Sequence, residues 1–168
     1  ELAVTIDPEV RRLELERMWP VWRTVSAERL WSGAWGTPMT TTLLSSSFGT
    51  RRDYNEGAYS GFHAGVDFRA RPGTPVYAPA RGRVVVAEAQ RVTGHTVWLD
   101  HGWGVYSGYA HLERWTVEVG QLVDAGAVLG HVGATGAVTG PHLHWEVRVL
   151  GVATSPLGWT LRDVGAVP

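Results

Sequence analysis

Seven histidines stand in this chain, at positions 63, 95, 101, 111, 131, 142 and 144, and two short patterns among them could hold a metal ion. The first is His142-Leu143-His144. Side chains alternate along a strand, so both imidazoles of such a triplet face one side while Leu143 faces the other. Their Cα atoms then lie roughly 6.6 Å apart, at about 3.3 Å per residue. One ring can bind a metal while the other stands beside the metal's open position. The second pattern is His63-Ala64-Gly65-Val66-Asp67. In a fully extended chain its ends would be roughly 13 Å apart, too far for two bonds of about 2 Å to one ion. The segment must therefore curl, and Gly65 permits that. Neutral imidazole and carboxylate are both good zinc ligands.

Together the patterns supply His63, Asp67 and one of His142 or His144; spacing leaves that last choice open. Three protein ligands and one open position describe a catalytic zinc rather than a structural one. Structural zinc usually closes its shell with cysteine, and the chain has none. A water in the open position, its pKa lowered to near ~7 from about 15.7, attacks carbonyls at neutral pH. A hydrolase also needs a proton acceptor. The helical His-Glu-x-x-His motif is absent. The leftover histidine of the pair could serve, and so could His111 in Tyr109-Ala110-His111-Leu112. Taken singly, each pattern has a plainer account: a surface histidine on a strand, a capped turn, a turn residue. His95, His101 and His131 are assigned to packing or turns.

The elements that must carry these residues are mostly strands. From Pro38 onward the chain is β-like, with strands predicted over 84–89, 95–100, 105–109, 127–130 and 142–150. Gly102-Trp103-Gly104 is predicted to turn one hairpin, and glycines and prolines punctuate the rest. No helix is expected after residue 40. The fold class is mainly β and antiparallel, preceded by a helical segment over 1–37, with the main domain over 38–168. In that segment Asp7 can cap a helix with Pro8 at its first position. Val10, Leu13, Met18, Val21, Trp22 and Val25 roughly keep helical spacing, with an interruption expected at Pro20. Ser26 is expected to cap a second short helix through Trp31. Trp19, Trp22, Trp31 and Trp35 either dock a missing upstream domain or, the preferred account, pack on the main domain.

Composition bounds the function. The chain has 168 residues, 44% apolar and 18% charged, which fits one folded domain and excludes bulk disorder. Its net charge of −1 argues against nucleic-acid binding. No apolar run is long enough to span a membrane. There is no opening signal peptide and no initiator Met, so a mature or trimmed fragment is expected, with an upstream domain or membrane anchor lying outside it. All 15 basic residues are arginine, which a GC-rich genome would produce.

In their order these residues resemble the LytM/lysostaphin-type zinc metallopeptidases, the M23 family of peptidoglycan endopeptidases. The matching pieces are Ser47-Phe48-Gly49-Thr50-Arg51, His63 to Phe68, Gly73 to Ala80, Asp100-His101-Gly102, Tyr109 to Leu112, Gly120 to Gly130 and Gly136 to Glu146. The resemblance covers roughly residues 40–160. It implies a β-sheet with a groove, one zinc per chain held by His63, Asp67 and His144, and His111 and His142 as the catalytic pair. It implies hydrolysis of peptide cross-links or stem peptides of bacterial peptidoglycan, hence an extracytoplasmic location. Some members place an oxyanion-stabilising tyrosine where this chain has Gly57; Tyr59 or Tyr54 could substitute. Without that tyrosine, a D-alanine to diamino-acid cross-link comes first as substrate and glycine bridges second. A non-enzymatic peptidoglycan-binding scaffold or hydrolase activator with the same fold is the alternative. Gly120 to Gly133 also resembles lipoyl and biotinyl carrier hairpins, but that role needs a lysine and the chain has none.

Overall fold

The computed structural model describes residues 6–41, 43–54 and 59–161, with the side chains of Tyr54 and Tyr59 outside the description. Helix α1 (Pro8–Arg23) opens the described chain. Twelve strands follow: β1 (Leu44–Ser46), β2 (Arg51–Tyr54), β3 (Tyr59–Phe62), β4 (Gly65–Arg69), β5 (Pro75–Tyr77), β6 (Gly82–Ala89), β7 (His95–Asp100), β8 (Val105–Trp115), β9 (Leu122–Val123), β10 (Val128–Val132), β11 (His142–Val149) and β12 (Val152–Thr154). A single helical turn, α2 (Gly158–Leu161), comes last.

The main sheet runs β1-β4-β11-β8-β7-β6-β9, with β10 bridging β5 and β8 and β12 beside β11; β2 and β3 form a separate hairpin. All these pairings are antiparallel. β11 lies inside the sheet between β4 and β8, and its apolar side chains alternate with polar ones. Leu143, Trp145 and Val147 are fully buried in the core, so His142, His144, Glu146 and Arg148 share the other face.

Asp7 caps α1 as expected, accepting from the backbone N–H of Glu9 at 2.9 Å and Val10 at 3.3 Å. Pro20 does not interrupt the helix. It lies in the last turn, where its missing N–H removes only one backbone bond before Thr24 closes the end. The second helix expected from Ser26 does not form. Tertiary hydrogen bonds take its backbone instead: Trp103 N–H donates to Ser26 at 2.9 Å and Leu30 N–H to His101 at 2.9 Å. The Ser26 hydroxyl bonds Asp100 rather than capping a helix. This segment lies so close over the β7–β8 turn that a Cβ on Gly102 would stand 1.8 Å from the Glu28 carbonyl oxygen.

Trp31 and Trp35 enter the main core with Trp159 of α2, the short helix that the sequence did not announce. Trp22 packs with Met18 against Val86, Trp98 and Tyr106 in a second cluster between α1 and the sheet. Trp19 remains exposed. Among the described residues no helix is long and apolar enough to cross a membrane.

Candidate metal centre

β4 and β11 pair so that Asp67 stands directly opposite His144. Asp67 Oδ1 lies 2.8 Å from His144 Nδ1 and 3.0 Å from His63 Nε2, and the two ring nitrogens are 3.0 Å apart. Three donor atoms thus converge in a triangle. Its edges approach the roughly 3.3 Å between neighbouring ligand atoms of a tetrahedral zinc with bonds near ~2.0–2.1 Å. Among the described residues this is the one cluster of histidine and carboxylate groups placed to hold a metal.

The curl required of residues 63–67 occurs before β4, at His63 and Ala64. Gly65 serves a different purpose from the one its sequence position suggested. It is not in the left-handed region; it sits where β11 passes so close that a Cβ would meet the Trp145 carbonyl oxygen at 2.2 Å. His63 is held by the turn before β2: its N–H donates to Thr50 at 2.9 Å, and its Nδ1–H donates to the Ser47 carbonyl at 2.9 Å. That bond fixes the tautomer and leaves Nε2 as the free donor.

His144 is fixed from the other side. Its Nε2 lies 3.3 Å from Glu146 Oε2, so Nε2–H donates to the carboxylate and Nδ1 faces Asp67. Burial alone would push the His144 ring down, but the hydrogen bonds to Asp67 and Glu146 push it up to about 9. Burial likewise would raise the Asp67 carboxyl, yet the hydrogen bonds from His144 and His63 hold it well below the usual carboxylate range. A spot that grips a proton this way favours positive charge, and the donor set fits a divalent cation. Arg52 of β2 pairs with the remaining Asp67 oxygen and donates to Ser46 Oγ at 2.9 Å.

His111 and His142 stand beside this triangle. His142 Nδ1–H donates to Gly140 at 2.9 Å, turning Nε2 to within 3.9 Å of Asp67 Oδ1. His111 Nδ1–H donates to Thr135 at 3.0 Å, and its ring centre lies 4.9 Å from that of His142. His111 reaches the site through a backbone irregularity. Its φ is 63°, and the β7–β8 register slips between His95 and Val97. A bulge of this kind re-aims a side chain, which no local pattern around His111 announces. Burial, together with the charges of His144 and His142, pushes His111 down to about 3; burial also lowers His142. Both rings are therefore neutral at pH 7, with Nε2 able to accept a proton.

These residues line a cleft of about 680 Å³ whose lining also includes Glu14, Leu15, Met18 and Trp22 of α1. Sequence reasoning missed Glu146, Arg148 and Arg52. The first two were signalled, since they continue the alternation begun by His142 and His144. His101 is fully buried, with Nδ1–H donating to Arg81 at 2.8 Å, and His95 donates to Glu113 at 2.8 Å; neither these nor His131 line the cleft. The β2–β3 register puts Tyr54 opposite Tyr59, but their side chains, and Gly57, lie outside the described residues.

The model of peptidase family M23 matches residues 61–156. The chain belongs to peptidase family M23. It is 35% identical over 120 residues to the peptidoglycan DD-endopeptidase ShyC of Vibrio cholerae, covering 71% of this chain and 28% of that protein. It is 40% identical over 98 residues to lysostaphin of Staphylococcus staphylolyticus, covering 57% of this chain and 20% of that one. The chain thus spans under a third of the length of these relatives. Among solved structures, a putative M23 peptidase from Pseudomonas aeruginosa superposes with a TM-score of 0.78 at 34% identity, covering 92% of this chain and 62% of that one. A zinc-containing peptidase from Vibrio cholerae gives 0.68 at 32% identity, covering 72% and 38%. The M23 fold therefore includes the sheet that brings the histidines together.

Proposed function

We propose that this M23 chain is a zinc-dependent endopeptidase that hydrolyses peptide cross-links of bacterial peptidoglycan outside the cytoplasmic membrane. The observation that carries this is the convergence of His63 Nε2, Asp67 Oδ1 and His144 Nδ1, with the neutral rings of His111 and His142 beside it in one cleft. His63, Asp67 and His144 would hold one zinc. Zinc bound there supplies Lewis acidity toward a peptide carbonyl and toward water.

The chain's own groups do the rest. Ser47 and Glu146 fix the ligand tautomers, and Thr135 and Gly140 fix those of His111 and His142. The two Nε2 atoms orient water, accept its proton and return one to the leaving amine. The scissile bond is assigned to the D-alanine cross-link, since DD-endopeptidases stand among relatives that align with 71% and 74% of this chain. A non-enzymatic scaffold would have no use for a carboxylate and four imidazoles brought together with the outer nitrogen of every ring hydrogen-bonded.

The experiment is mass spectrometry of soluble fragments released from purified cross-linked peptidoglycan by zinc-loaded protein. A chelated sample and a His144→Ala variant are the controls. Fragments cut at one peptide bond, and lost in both controls, are expected. A protein that holds one zinc yet releases nothing from several wall chemistries would overturn the assignment.

A further inference from the structure

The candidate zinc site does not end at its ligands. On the side of His144 away from Asp67, a relay of side chains leads out of the sheet to α1. His144 Nε2 meets Glu146 Oε2 at 3.3 Å. The other Glu146 oxygen accepts from Arg148 Nε. Arg148 Nη1 donates to the Gly151 carbonyl at 2.8 Å, and the guanidinium carbon stands 3.8 Å from the ring centre of Trp22. Trp22 is buried and packs on Trp98, ring centres 5.0 Å apart.

Stability alone does not account for this arrangement. A buried carboxylate and guanidinium side by side gain little over an apolar pair of the same shape, because desolvation consumes most of their attraction. What the pair does supply is orientation. Glu146 accepts a hydrogen bond from the Nε2–H of His144, which directs Nδ1 at Asp67 and His63. A planar fork can hold Glu146 and the Gly151 carbonyl together while its guanidinium carbon stands over an indole ring. Glu14 anchors α1 nearby, accepting from the N–H groups of Arg91 at 2.6 Å and Val92 at 2.9 Å.

We propose that Glu146, Arg148 and Trp22 are positioning residues for His144. Helix α1, which precedes the residues matched by the family, thereby belongs to the catalytic unit. This rests on His63, Asp67 and His144 being zinc ligands.

The test uses the full chain stripped with a chelator. Zinc affinity is read by competition with a chromophoric chelator, site geometry from the absorption bands of bound Co²⁺, and folding from apo thermal unfolding. Glu146→Gln is expected to weaken zinc about tenfold to a hundredfold. Arg148→Lys keeps the charge but not the fork, and is expected to weaken zinc and shift the cobalt bands. Trp22→Leu keeps apolar bulk without the aromatic face and is expected to weaken zinc about threefold to tenfold, with Trp22→Phe between it and the native protein. Lowered apo stability with native zinc affinity and native cobalt bands in the variants would overturn the proposal. Should Trp22→Leu not fold, Trp22→Phe decides for α1: native affinity and bands there refute its role, weaker binding supports it. A native protein that binds no zinc would instead sink the metal-site assignment itself.

Discussion

Asp67 and His144 face one another across the β4–β11 register, with Oδ1 and Nδ1 2.8 Å apart. The contact joins a carboxylate held below its usual range to an imidazole raised to about 9, both against the pull of burial. Removing one partner strands the other in a buried site. Asp67→Ala is therefore expected to weaken zinc by more than about a hundredfold, exceeding the loss typical of outer-sphere partners. Metal analysis after dialysis checks this, and retention of one zinc per chain would remove Asp67 from the ligand set.

Variants at His111 and His142 are expected to separate binding from turnover. Neither lies within the donor triangle, yet each presents Nε2 with Nδ1–H tied to a backbone carbonyl. His111→Ala and His142→Ala are each expected to keep zinc while lowering kcat by about a hundredfold to ten-thousandfold. Steady-state cleavage of a cross-linked muropeptide, with zinc content measured on the same samples, tests both. Full activity in both variants would refute their role.

Gly65 is required by the closeness of two backbones rather than by chain reversal. An added Cβ would meet the Trp145 carbonyl oxygen at 2.2 Å and the His144 ring at 2.9 Å. Backbone cannot yield as a flexible side chain would, so Gly65→Ala must part β4 from β11. It is expected to cost more than about 2 kcal/mol, read as a fall in Tm of at least ~5 °C. Zinc affinity should fall with it, since the same strand pair sets Asp67 against His144. An unchanged Tm and unchanged affinity would contradict this.

The legible parts of the site were those encoded in short spacings. His142-Leu143-His144 reads as one face of a strand because the period of a strand is two, and the same period carries on to Glu146 and Arg148. Which histidine of the pair meets Asp67 was not legible in the spacing and came only from the family resemblance, because strand register is a long-range property and β4 and β11 are far apart in the chain. His111 was named as a candidate, but what aims it was not legible: its direction depends on a left-handed bulge where β7 and β8 slip register. The helix expected from Ser26 failed because the β7–β8 turn claims its backbone, which local propensity cannot weigh. Pro20 misled in the opposite sense, being tolerated where the helix was about to end.

His101 is expected to contribute to the acid sensitivity of the fold. It is fully buried against Trp35, ring centres 4.3 Å apart, with Nδ1–H bonded to Arg81 and Nε2 2.7 Å from Ser107 Oγ. Burial lowers it from the ordinary 6.5 to about 4. Between these values the unfolded chain binds a proton that the folded chain refuses, so stability rises with pH across the window. The contribution is full above pH 6.5, declines as pH falls, and is gone below pH 4. Its full size is on the order of 3 kcal/mol, at about 1.4 kcal/mol for each tenfold loss of proton affinity. Urea unfolding between pH 7 and 4.5, in chelator so that loss of metal to protons adds nothing, is expected to show a slope of this sign, to which His111 and His142, also lowered by burial, add. His101→Gln should be less stable at pH 7 but flatter across the window. An equal slope in the variant would mean that another group governs the acid sensitivity.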